Sequence, residues 1–72
     1  MEKLKNGATV ISRSRLADGS GHVVLAEKEH LSGTIEYVTW ITDNYMNCFH
    51  GNYFPELEHA TKDYKERVKK YV

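Results

Sequence analysis

Apolar and polar residues follow two different rhythms along this chain. Up to about residue 52 the apolar positions come in short β-branched and aromatic runs separated by Gly, Asn and Asp. From residue 55 onward they fall at helical spacing. Residues 8–14, Ala-Thr-Val-Ile-Ser-Arg-Ser, carry no helical stripe and predict a first strand. Asp18-Gly19-Ser20-Gly21 supplies the left-handed geometry of a reversal, and residues 22–28 predict a second strand. Residues 29–33 read as a loop. Residues 34–42, with Ile35, Tyr37, Val38, Trp40 and Ile41, give the clearest strand pattern. Asp43-Asn44 then predicts a two-residue hairpin turn into a fourth strand over residues 45–52. In residues 55–72, Leu57, Ala60, Thr61, Tyr64, Val68 and Tyr71 fall on one helical face. Pro55 suits the first helical position, and Glu58–Lys62 and Glu66–Lys70 are acid-before-base pairs four apart. The first six residues are polar and read as a frayed end.

These elements predict an α+β fold, a four-stranded antiparallel meander sheet with one C-terminal helix on one face. The two-residue turn fixes a register in which Thr42 faces Tyr45, Ile41 faces Met46 and Thr39 faces Cys48. One side of the hairpin then carries Val38, Trp40, Tyr45, Phe49 and Gly51, and the other Ile35, Tyr37, Ile41, Met46, Cys48 and His50. The helix is expected on the Val38, Trp40 and Phe49 side, where Gly51 leaves room. Both sides are apolar, so the second needs a cover. The loop over residues 29–33 or strand curvature would provide one within the chain. Otherwise the face is a contact surface, with Tyr37, Ile41, Met46 and His50 as the residues that meet a partner.

Composition narrows the choice. Seventy-two residues read as a single domain, 1–72, that buries only about 60–65% of its unfolded surface. Cys48 is the one cysteine, so no internal disulfide supports the core. Self-association is therefore the expected source of further buried area, and a homo-oligomer follows. Ten basic residues balance ten acidic ones, which argues against a general nucleic-acid binder. No apolar run reaches the roughly 20 residues that cross a bilayer, and no leader pattern opens the sequence. The expectation is a cytoplasmic protein without membrane association.

Candidate chemistry is sparse. His22, His30, His50 and His59 are too widely spaced for a zinc site, so no metal or cofactor is expected. Cys48 with a histidine would need an orienting group, oxyanion donors and a pocket. The sequence announces none of these, so no enzyme is expected. Arg13 and Arg15 would share a strand face near Tyr37 and His50, the outline of a single-stranded nucleic-acid surface. Charges on an edge strand also serve to prevent aggregation.

The run Gly51-Asn52-Tyr53-Phe54-Pro55-Glu56-Leu57, continued by Ala60, Tyr64 and Arg67, resembles small phage and mobile-element accessory proteins. So does the upstream Glu36-Tyr37-Val38-Thr39-Trp40. The likeness covers the C-terminal half. It implies an uncharacterised accessory protein that binds and blocks a host protein, such as a nuclease of a bacterial immune system, and it brings no active site with it. The expected function is therefore a protein-binding, anti-defence module acting inside the host cell. Single-stranded nucleic-acid binding through Arg13 and Arg15 is the competing reading.

Overall fold

The computed structural model describes residues 2–72. Strands β1 (Thr9–Arg15), β2 (Gly21–Glu29), β3 (Ile35–Asp43) and β4 (Cys48–Phe54) form one antiparallel sheet in the order β1-β2-β3-β4, followed by helix α1 (Leu57–Tyr71). The α+β meander with a C-terminal helix is thus the architecture. Pro55 lies just outside the helix rather than at its first position. Glu56 is the N-cap, in extended geometry and without a side-chain cap bond.

The β3–β4 turn is wider than a two-residue hairpin. Four residues, 44–47, separate the strands, and Asp43 organises them. Its Oδ1 accepts from the backbone N–H of Tyr45 (2.8 Å) and Asn47 (3.0 Å), and its Oδ2 from the Asn47 amide (2.9 Å). Met46 takes the left-handed conformation (φ 64°). The Asp43-Asn44 pair lacks the glycine that a tight turn with positive φ favours, whereas an Asp side chain readily caps a longer loop.

Thr42 consequently faces Cys48 rather than Tyr45, and Ile41 faces Phe49. This is a displacement of three residues, and an odd displacement exchanges the faces of β4. A bulge between Thr39 and Ile41 shifts the pairing once more, so that Thr39 faces Asn52 and Val38 faces Tyr53. His50 lies in this irregular stretch with φ 54°.

The helix accordingly covers the opposite face from the one expected. Ala60 and Tyr64 bury against Val23 and Leu25, with Tyr37, Phe54, Leu16 and Val68 around them. The Tyr64 hydroxyl lies 2.7 Å from Ser14 Oγ and 3.3 Å from Ser12 Oγ, tying the helix to β1. Val38 and Trp40 point the other way, into a second cluster with Val24, Ala26, Leu4 and Ala8. Gly51 does leave room, but the indole of Trp40 fills it. A Cβ at Gly51 would lie 2.5 Å from Trp40 Nε1.

The second face is covered by the chain's own N-terminal segment, not by the loop after β2. Leu4 is 4% exposed and Ala8 fully buried. Leu4 N–H donates to the Ala8 carbonyl (2.8 Å), Val10 N–H to that of Glu2 (2.8 Å), and Lys3 bridges to Thr9. Lys5 Nζ reaches Asn47 Oδ1 across the sheet (3.2 Å). A short, mostly polar segment reads as a frayed end by composition. Here its leucine is the anchor.

Candidate functional site

The set Tyr37, Ile41, Met46 and His50 does not form one surface. Tyr37 packs in the helix-side cluster, and Met46 packs against the Trp40 cluster on the other face. Ile41 and His50 do come together, in a cleft of about 370 Å³ between β3, β4 and the C-terminal half of α1. Asp63, Glu66, Arg67 and Lys70 line its helix side. The cause of the split is the turn: with Asp43 setting a four-residue loop, Met46 lies inside the loop and β4 is displaced in register against β3.

A polar network forms the floor beside this cleft. Asp63 Oδ2 accepts from Thr39 Oγ1 (2.5 Å) and from the Asn52 amide (3.2 Å), and it lies 3.3 Å from Arg67 Nε. Thr39 has no exposed surface, so the carboxylate satisfies a hydroxyl that would otherwise be buried without a partner. Arg67 Nη2 donates to the carbonyl of His50 at 2.6 Å, fixing the left-handed residue of β4 to the helix. Arg67 Nη1 is buried and has no hydrogen-bond partner among the described residues. In the sequence, Asp63 and Arg67 are an acid and a base four apart like two other pairs of the helix. Only their position beneath β3 and β4 distinguishes them.

The two sheet edges differ. At β1, Thr9 and Val10 are engaged by the N-terminal segment, and Arg13 and Arg15 follow. Such charges hinder the addition of another strand. At β4, no residue from Cys48 to Phe54 carries a formal charge at neutral pH with His neutral, and only β3 pairs with it. Phe49, 49% exposed, sits beside Ile41 and so on the helix side. Tyr53, 54% exposed, stands edge-on to Trp40 on the other side, with ring centroids 6.1 Å apart. Neither aromatic is expected at a partner contact from the sequence, which puts Phe49 under the helix beside Val38 and Trp40, and Tyr53 only in the run that carries the resemblance. The signal that could have found them is the uncharged Cys-Phe-His-Gly-Asn-Tyr-Phe run in the last strand of a meander.

The other candidates separate. Arg13 Nη1 pairs with Glu2 Oε2 at 2.9 Å, both side chains exposed. Arg13 and Arg15 face Val24 and His22 across the ladder, whereas Tyr37 lies under the helix. The arginines and the aromatic that was to stack a base are therefore on opposite faces. Burial pushes the Cys48 thiol up from its ordinary range, and the Asp43 charge adds to the effect, so the sulfur is protonated at neutral pH. His30 meets Glu36 at 3.1 Å on the surface. No three His, Cys, Asp or Glu side chains converge to hold a metal among the described residues. No described helix is long and apolar enough to cross a membrane.

No protein-family model, curated protein or solved structure matches the chain.

Proposed function

We propose that this protein binds another protein by taking an extended segment of it along the edge of β4, beside the cleft, and so occupies that partner's site. The observation that carries the reading is the contrast between the edges: β1 is engaged and charged, while β4 is uncharged and flanked by half-exposed Phe49 and Tyr53. An added strand gains main-chain hydrogen bonds from the edge outside the bulge at His50, whose carbonyl Arg67 already holds, and places alternate side chains on the two faces of the sheet. Phe49 and Ile41 would receive one set, and Tyr53, which stands edge-on to the buried Trp40, the other. Within the set named from sequence, Ile41 and His50 stay in the contact, and Tyr37 and Met46 become scaffold. The likeness to phage accessory proteins suits a host protein as the partner, such as an immune-system nuclease, with inhibition by occupancy.

The test is selection from a displayed library of short linear peptides, followed by affinity measurement. We expect Phe49→Lys and Tyr53→Lys, in folded protein, each to weaken the selected peptides by about tenfold or more, because a charge on the edge opposes strand addition. Arg13→Ala with Arg15→Ala should leave them unchanged. Peptides that bind both lysine variants as well as the parent would sink the reading. Salt-sensitive capture of a single-stranded oligonucleotide, lost with the two arginines, would install the nucleic-acid alternative instead.

A further inference from the structure

The cleft beside β4 holds donors that the fold does not use. Asp63 is fully engaged by Thr39, Asn52 and Arg67 on the floor. Arg67 spends Nε on that carboxylate and Nη2 on the His50 carbonyl. Its Nη1 is left without a partner among the described residues, on a side chain only 11% exposed. A buried N–H of a charged group left unmet is costly, and an acceptor brought by a ligand would relieve it. Lys70 lines the same cleft three residues on, its Nζ over the Tyr71 ring at 5.4 Å from the centroid, and Ile41 and Tyr71 are the cleft's apolar walls. The opposing charge is Glu66, exposed at the rim.

We infer that this cleft takes a carboxylate next to an apolar side chain, presented by the segment that β4 holds. Arg67 Nη1 and Lys70 hydrogen-bond the carboxylate, and Ile41 and Tyr71 cover the apolar neighbour. Planar guanidinium donors suit a carboxylate in direction as well as charge. Nη1 is buried, so the side chains that cover it must give way before the carboxylate reaches it. This inference rests on the strand-capture reading and adds the chemistry of what is captured. The carboxylate can belong to an acidic side chain or to a chain end.

Three dipeptides separate these cases: N-acetyl-Leu-Glu amide, N-acetyl-Leu-Gln with a free carboxyl terminus, and the neutral N-acetyl-Leu-Gln amide. Each is titrated into the isotope-labelled full chain, following the Arg67 guanidinium and the Lys70 and Tyr71 signals by NMR. We expect saturable shifts with one or both acids and about tenfold weaker binding of the neutral probe, a modest factor because the cleft is open to water. The acid that binds more tightly identifies the source of the carboxylate. Lys70→Gln should weaken the acids several-fold, and Glu66→Gln, which removes the like charge, should tighten them; both positions are exposed, so the fold is kept. Equal binding of the neutral probe, or the same shifts from inorganic phosphate at the same concentration, overturns the inference. If that happens while Tyr53-dependent peptide capture persists, only the carboxylate site falls. Acid binding without any peptide capture removes strand capture and with it the captured segment as source.

Discussion

At the scale of single residues, Asp63 does the most to join the layers. It accepts from a fully buried hydroxyl, an amide and a guanidinium, which together draw β3, β4 and α1 to one point. Asp63→Ala would strand Thr39 Oγ1 and leave Arg67 with half its partners. We expect a loss of about 2–3 kcal/mol in urea unfolding, near the lower end for breaking a largely buried pair because both side chains keep some exposure. Asp63→Asn, which retains acceptor oxygen, should lose less. Asp43 governs a turn rather than a layer. Hydrogen bonds from the Asn47 side chain and backbone hold its carboxyl below the ordinary value of 3.8, and bonds from Ser20 do the same for Asp18. A depressed folded-state value means stabilisation that is fully present above 3.8 and lost as pH falls through the lower folded value. Melting temperature followed from pH 7 to pH 2 should therefore drop below about pH 4, and Asp43→Asn should flatten part of that drop.

Among the elements, the N-terminal segment shows how far a composition argument reaches. Residues 2–8 look like a polar end, yet Leu4 closes the cluster containing Trp40 and Val38. Leu4→Ala should cost about 2–4 kcal/mol, as large-to-small changes in a core do. Trp40 is the sole tryptophan, so its emission should shift to the red as water reaches it. An unchanged spectrum and unchanged stability would mean that the segment merely rests on the sheet. Gly51 illustrates close approach within β4. Gly51→Ala puts a methyl into the Trp40 indole, and we expect about 1–3 kcal/mol of destabilisation from overpacking. The helix, by contrast, was legible in detail: Leu57, Ala60, Tyr64 and Val68 declare their spacing, and Ala60 and Tyr64 are the residues it buries.

For the whole molecule, two apolar layers are closed within one chain, by α1 on one side and by residues 2–8 on the other. The homo-oligomer expected from an uncovered hairpin face would have to use a different surface, and β4 is the edge open to it. Light scattering over a concentration series checks this. We expect any rise above the 8.3 kDa monomer to vanish in Tyr53→Lys, and a rise that survives would place self-association elsewhere.

The sequence by itself determined the kinds of element, their order and the meander. Residue periodicity and turn chemistry are local, and short connections leave few topologies. It could not determine which face of the sheet the helix would cover. A period of two says that Val38 and Trp40 lie opposite Tyr37 and Thr39, but it does not label either side as the helix side. That choice came from contacts distant in sequence: Thr39 with Asp63, Trp40 with Gly51, and Leu4 with Ala26 and Val38. The register of β4 was equally out of reach, because an Asp side chain and a bulge moved it by three and then four residues. Ile41 and His50 share a face in the expected register too, but the far half of the helix joins them only in the tertiary structure, because the helix covers that side of the sheet.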